Sequence, residues 1–294
     1  MGVAVFFVIS GFLLYRPLLA ARAGQGPPVR PRDYGRRRVL RIVPAYWVAL
    51  TVLAIYPGLP GVFSSRWWVY YGFGQDYGTR TVVYGIGPAW SLGCEVVFYA
   101  LLPLISMVFA WAAARAGRRV WWQLELGVLG LLGLASFGVR ALGAAHPSLP
   151  PSTFASTFAW FALGMALALW SVCSTERSGR LTRLAARHAW AGWAVALGAY
   201  VVMCRALGLP AGNVLLAHQS TAQQLWVYGL SGVMAAGLAL PAAFELGPRS
   251  AVGRLLAAPA ARWLGLISYG IYLYHEPVAR ALSGGLSGPG STTG

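Results

Sequence analysis

Lysine is absent from this sequence, and acids are scarce: seven Asp and Glu stand against 23 Arg. Charged residues of both signs make up only 10% of the chain, whereas a soluble globular domain carries about 25%. That shortage excludes an ordinary water-soluble enzyme. Cysteine is also sparse. Cys94, Cys173 and Cys204 lie in or beside apolar runs with no metal-ligand spacing, so they read as small buried hydrophobes rather than a disulfide framework or a metal site. Polar stretches of 50 residues or more are missing, as are internal repeats, which leaves no room for a separate soluble domain. The first apolar run lacks both a basic leading region and a small-residue cleavage site, so it does not have the pattern of a signal peptide.

What is present is apolar. Hydrophobic residues make up 57% of the chain and the mean hydropathy is +0.60. The apolar runs are continuous rather than alternating, which argues for spanning helices and against a β-barrel. Breaks at charged or Pro/Gly-rich points divide the chain into eight expected spans, near 2–15, 39–56, 90–114, 121–144, 153–173, 189–209, 222–244 and 262–282. The expected fold is therefore all-α, a polytopic helical membrane bundle of about eight helices forming one domain over 1–282. A Gly/Ser-rich tail at 283–294 has no expected order.

A net charge of +16 suggests nucleic acid at first sight, but the arginines cluster in short connectors, where a membrane protein records its orientation. Alternate connectors hold eight, three, four and three of them, 18 of the 23. By the positive-inside rule those connectors are cytoplasmic, both ends of the chain are outside, and no nucleic acid partner is expected.

Four motifs stand in order along the chain: FFVISGFLL at Phe6 to Leu14, RRRVLRIVPAYW at Arg36 to Trp47, WSLGCEVVFYALLP at Trp90 to Pro103, and LGLISYGIYLYHEPV at Leu264 to Val278. In this order and spacing the chain resembles the acyltransferase-3 family of integral-membrane, acyl-CoA-dependent acyltransferases. The resemblance covers Gly2 to Val278. It implies a multi-pass enzyme of the cell membrane, of bacterial cytoplasmic-membrane type, that moves an acyl group, commonly acetyl, from acyl-CoA to a hydroxyl of a carbohydrate or a glycosylated metabolite. It also implies about ten spans and a first-span histidine as the main catalytic residue. No residue here matches that histidine, so the chain is expected to begin at the family's second span and stop before its tenth, as an incomplete and inactive form. A small-molecule transporter and a non-catalytic remnant are the alternatives. The transporter reading lacks paired mid-membrane helix breaks in two halves.

Site candidates follow from the same motifs. Arg38 and Arg41 match the family's R-x-x-R pair, and i, i+3 spacing puts both on one helical face, where planar guanidinium groups can grip the phosphates of coenzyme A. Arg37 is a further donor-binding candidate, with headgroup anchoring as its competing use. Ser10 either contacts the acyl donor or allows close helix packing with Gly11. Glu95 is an ionisable group inside an apolar helix, costly there and hence a candidate for orienting an imidazole, relaying a proton or binding acceptor hydroxyls. Trp90, Ser91 and Tyr272 are candidates for holding the acceptor. Imidazole as a side chain titrates near neutrality, so His275 could serve as a base, although the resemblance places that work elsewhere. With Tyr269 and Tyr272 it forms one polar stripe. Trp67, Trp68, Tyr70, Tyr71 and Tyr84 suit either a membrane-interface belt or stacking on a sugar. No metal is expected.

Overall fold

The computed structural model describes residues 1–59, 61–78, 85–117, 120–146, 153–176, 190–206, 220–244 and 251–286. Among these residues all regular structure is helical. Ten α-helices follow one another: α1 Gly2–Arg22, α2 Pro31–Leu53, α3 Trp67–Tyr71, α4 Trp90–Ala116, α5 Trp121–Ala145, α6 Phe154–Glu176, α7 Trp190–Ala206, α8 Thr221–Phe244, α9 Ala251–Ala257 and α10 Pro259–Leu286. The chain is an all-α, multi-pass membrane bundle. In lipid only a helix satisfies every backbone polar group within its own segment, so runs this apolar have no other stable form.

Each expected span contains a helix, and the helices differ in length and apolarity. Among the described residues six segments are long and apolar enough to cross a membrane, and α7 is a shorter apolar helix. α10 has 28 residues but is not one of the six. It carries Arg262, Ser268, Tyr269, Tyr272, His275 and Glu276, polar residues that recur along one side at helical spacing. The first span is also longer than expected. Arg16 and Arg22 sit on the last turns of α1 rather than in a connector. The helix ends at Gly24, with φ of +73°, where Gln25 N donates to Ala20 O at 2.8 Å and Gly24 N to Ala21 O at 3.2 Å. This pair of bonds satisfies the last carbonyls, and only glycine adopts the required backbone cheaply. Pro31, at the first turn of α2, costs no hydrogen bond there and starts the next helix with Asp33 facing its N-terminal dipole. α10 takes in 283–286, and the rest of the expected tail lies outside the described residues.

The centre of the bundle is the crossing of α1 and α6, where small residues let the backbones touch. A Cβ on Gly164 would meet Val8 O, and one on Gly11 would meet Phe161 O. Small residues at the contact are how membrane helices gain dispersion energy without a hydrophobic driving force. Beside this contact Phe161 stacks on Phe7 at 4.3 Å and on Phe98 at 4.2 Å, which fastens α4 to the pair. A second cluster joins α2, the α2–α4 connector and α10 through Tyr46, Leu50, Tyr70, Phe73, Leu92 and Leu273. The candidate site lies between these two cores.

Candidate functional site

A cleft of about 590 Å³ opens between α1, α2, α4 and α10. Ser10, Arg38, Arg41, Glu95, Tyr99, Tyr272 and His275 all line it. All four sequence motifs supply its polar groups, through α1, α2, α4 and α10.

Glu95 is the most buried member, with 1% of its surface exposed. Ser10 Oγ donates to its Oε1 at 2.8 Å, and the Tyr99 hydroxyl donates to the same oxygen. Among the described residues its Oε2 has no hydrogen-bond partner. A buried carboxylate oxygen left open in a cavity is costly unless something fills the place, so this oxygen is the natural acceptor for a hydroxyl or N–H entering the cleft. Both donors have a local cause. Tyr99 is four residues after Glu95 on the same helix face, and Ser10 is brought across by the glycine contact of α1 with α6.

The cationic wall belongs to α2. Arg38 is half-buried, its guanidinium stands 5.8 Å from the Tyr99 ring centroid, and its Nε is buried without a partner among the described residues. Arg41, one turn on, lines the same cleft while remaining exposed. Two guanidinium groups in a row at an accessible end suit a multiply charged phosphate ligand. Arg37 is exposed and does not line the cleft.

α10 forms the opposite wall. Ser268, Tyr269, Tyr272 and His275 recur at helical spacing and all face the cleft. The Tyr269 hydroxyl donates to Ile42 O at 3.0 Å, which ties α10 to α2. The Tyr272 hydroxyl donates to Pro88 O and accepts from the Ser91 hydroxyl at 2.6 Å, which ties α10 to the start of α4. His275 Nδ1 lies 2.7 Å from Tyr272 O. A carbonyl can only accept, so Nδ1 carries the proton in this arrangement and the Nε2 lone pair is left open. Ser91 is fully buried behind Tyr272, and Trp90 packs edge-on to Phe7 at 6.2 Å, in the core rather than the cleft.

Two carboxylates escaped the sequence reading. Glu125 on α5 is buried and paired with Arg22, and it also accepts from the Tyr15 hydroxyl. Arg22 lies 4.9 Å over the Trp121 ring. The available signal was Glu125 itself, an acid within an apolar helix like Glu95. Asp76, in the 3₁₀ turn Gln75–Tyr77, is 1% exposed, and burial pushes its carboxyl up to about 8. Nothing in the local sequence marks it as buried. Of the other candidates, Trp67 and Trp68 are exposed, Tyr70 is buried, and Tyr84 lies outside the described residues. His146 is exposed, and His188 and His218 lie outside the described residues. Among the described residues no three His, Cys, Asp or Glu converge as metal ligands.

The chain is similar in sequence to several O-acetyltransferases. The peptidoglycan O-acetyltransferase OatA of Listeria monocytogenes is 25% identical over 295 residues, covering 94% of this chain and 44% of that protein. The putative peptidoglycan O-acetyltransferase YrhL of Bacillus subtilis is 26% identical over 298 residues, with the same two coverages. The O-acetyltransferase OatA of Staphylococcus aureus is 30% identical over 120 residues, 36% of this chain and 20% of that one. The chain thus spans less than half the length of the curated relatives it matches. No solved structure matches it. A family model described as an acyltransferase domain matches residues 1–292, so the chain belongs to the acyltransferase-3 family.

Proposed function

We propose that this chain is a membrane-bound O-acyltransferase that moves an acetyl group from acetyl-CoA to a hydroxyl of a carbohydrate, with glycan of the peptidoglycan type as the acceptor class. The observation that carries the reading is the convergence of a cation pair, an open carboxylate oxygen and an imidazole in one cleft. The names of the relatives, peptidoglycan O-acetyltransferases, support the acceptor class.

In this reading Arg38 and Arg41 hold the phosphates of the donor, and the thioester reaches along the cleft toward Glu95. The acceptor hydroxyl hydrogen-bonds to Glu95 Oε2, which orients it. In place of the first-span histidine that the resemblance implies and no residue here matches, His275 takes the hydroxyl proton at Nε2 as the oxygen attacks the thioester carbonyl. The C–S bond breaks, the ester forms, and the imidazolium returns the proton to the leaving thiolate. Imidazole suits this task because one ring nitrogen can accept a proton while the other keeps its hydrogen bond. The His275 Nδ1 proton stays hydrogen-bonded to the Tyr272 carbonyl throughout and fixes the ring's orientation.

The test is acetyl transfer from labelled acetyl-CoA to isolated glycan by membranes containing the protein, alongside donor binding. Loss of transfer in His275→Ala and Glu95→Gln with donor binding retained supports the reading. Transfer unaffected by both substitutions rejects it.

A further inference from the structure

The segment before α4 folds into a turn whose geometry none of the site residues explains. Gly72 N donates to Trp68 O at 2.9 Å and Gly74 N to Val69 O at 2.8 Å, and between them Phe73 holds φ at +60°. A bulky residue in the left-handed region is strained and persists only where its surroundings impose it. Here the Phe73 ring stacks on Tyr46 at 4.4 Å, and the Tyr46 hydroxyl donates to Tyr70 O at 2.8 Å.

This strained turn sets Asp76 against the start of α4. A Cβ on Gly93 would come within 2.5 Å of Asp76 Oδ2 and 2.8 Å of Phe73 O, so the glycine is what admits the turn. Both Asp76 oxygens are buried without a hydrogen-bond partner among the described residues. The titratable groups that feel this carboxyl are Tyr77 in its own turn, Tyr46 on α2, Cys94 on α4 and Tyr272 on α10. Among the described residues, three phenols and a thiol offer no positive charge to balance an ionised carboxylate. A buried charge without partner or counter-charge is expelled toward water rather than tolerated.

We propose that Asp76 is a proton-operated latch on the side of the bundle away from the Arg-rich connectors: with its carboxyl protonated the turn stays seated on Gly93, and with it ionised the turn lifts from α4. Ser91, which holds the cleft-wall Tyr272, and Glu95 stand two residues either side of Gly93 on α4, so a shift of that helix end reaches the cleft. Its consequence for catalysis rests on the cleft being the site of acyl transfer, but the latch itself does not. Burial pushes the Asp76 carboxyl up to about 8, which puts the release at mildly alkaline pH.

Cys94, 1% exposed and next to Gly93, reports the latch without any assay of activity. The experiment uses the full chain in membranes with Cys173 and Cys204 changed to Ser, a membrane-impermeant maleimide, and Asp76→Asn as the permanently neutral variant. In that variant the amide has no proton to lose, so the pH slope of labelling is the thiolate's own. Between about pH 6 and about pH 8, Cys94 labelling in the parent should rise more steeply than this, by up to about tenfold per pH unit. Parallel profiles overturn the proposal. Gly93→Ala, which wedges the turn off α4, should label rapidly even at about pH 6. Labelling of that variant as slow as the parent's overturns the proposal as well, whether or not Asp76→Asn folds. Failure of acetyl transfer with the labelling result intact would refute the reading of the cleft and leave the latch standing.

Discussion

Ser10 on α1 and Glu95 on α4 are 85 residues apart and joined by a 2.8 Å hydrogen bond in the protein interior. The bond makes two sequence motifs into one site, because Ser10 and Tyr99 occupy the same carboxylate oxygen and leave the other open. Removing Ser10 therefore frees the carboxylate to turn rather than removing a substrate contact. Ser10→Ala should lower kcat for acetyl transfer with little change in the donor KM, at a loss of roughly 1.5 to 3 kcal/mol, the range for a hydrogen bond to a charged group. A rise in donor KM with kcat unchanged would assign Ser10 to the donor instead.

The donor end of the cleft gives a graded expectation. Arg38→Ala or Arg41→Ala should each weaken acetyl-CoA binding by about 1.5 to 3 kcal/mol. Arg37→Ala should do much less, because Arg37 is exposed and does not line the cleft. Equilibrium binding of labelled acetyl-CoA to purified protein measures all three. Equal affinities across the set would reduce the arginines to headgroup anchors.

The helices and the polar letters inside them were legible because lipid leaves an apolar run one stable form and makes every acid within it conspicuous. Glu95 was found in that way, whereas Arg38, Arg41 and Tyr272 stood out through the family resemblance of their motifs, and the structure brings all four to one cleft. What stayed hidden was set by contacts across the chain. Arg16 and Arg22 read as connector charges, yet α1 continues to Arg22, where Glu125 supplies the partner that makes a charge tolerable there. Trp90 stands one residue before Ser91, but the helix turns it toward Phe7 and the core. Asp76 looks like any loop acid, and its burial depends on Gly93 and on the strained Phe73, which no local pattern announces.

The Arg22–Glu125 pair makes its own prediction. Tyr15 adds a second hydrogen bond to the buried carboxylate, so removing either charge strands the other. Glu125→Leu should cost on the order of 3 to 5 kcal/mol, and Arg22→Met combined with Glu125→Leu should recover much of that loss. Thermal unfolding in detergent for the two single variants and the double variant measures the coupling. Additive losses would show that the pair is not an interacting unit.

Close approach of α1 and α6 depends on two positions with no side chain. A methyl group at Gly164 would strike the backbone of Val8, which cannot rotate away. Gly164→Ala should therefore destabilise by about 1 to 3 kcal/mol, the usual range for overpacking, and Gly11→Ala by a similar amount. Gly138→Ala on α5, where a Cβ meets nothing within 4 Å, is the matched control and should be neutral or slightly stabilising. A control as damaging as the other two would show that the cost does not come from the close helix contact, because alanine is the better helix former.

Asp76 also fixes the sign of one pH dependence of stability. Its carboxyl is held neutral by burial, with the folded value raised from 3.8 to about 8. A raised folded value means that the folded state keeps a proton the unfolded state gives up. The stabilisation is complete below pH 3.8, is lost progressively as pH rises, and levels off once the folded carboxyl also ionises near 8. Each pH unit inside the window is worth at most about 1.4 kcal/mol, so the loss over the window is on the order of a few kcal/mol. Asparagine has the same shape with no proton to lose, and Asp76→Asn should remove this component. The parent's unfolding midpoint in detergent should therefore fall relative to the variant's between about pH 5 and about pH 8, with the variant the more stable at the alkaline end. A midpoint difference that stays constant across that range would mean that Asp76 titrates alike in the folded and unfolded chain, and that its burial is relieved by a partner which keeps the carboxylate charged.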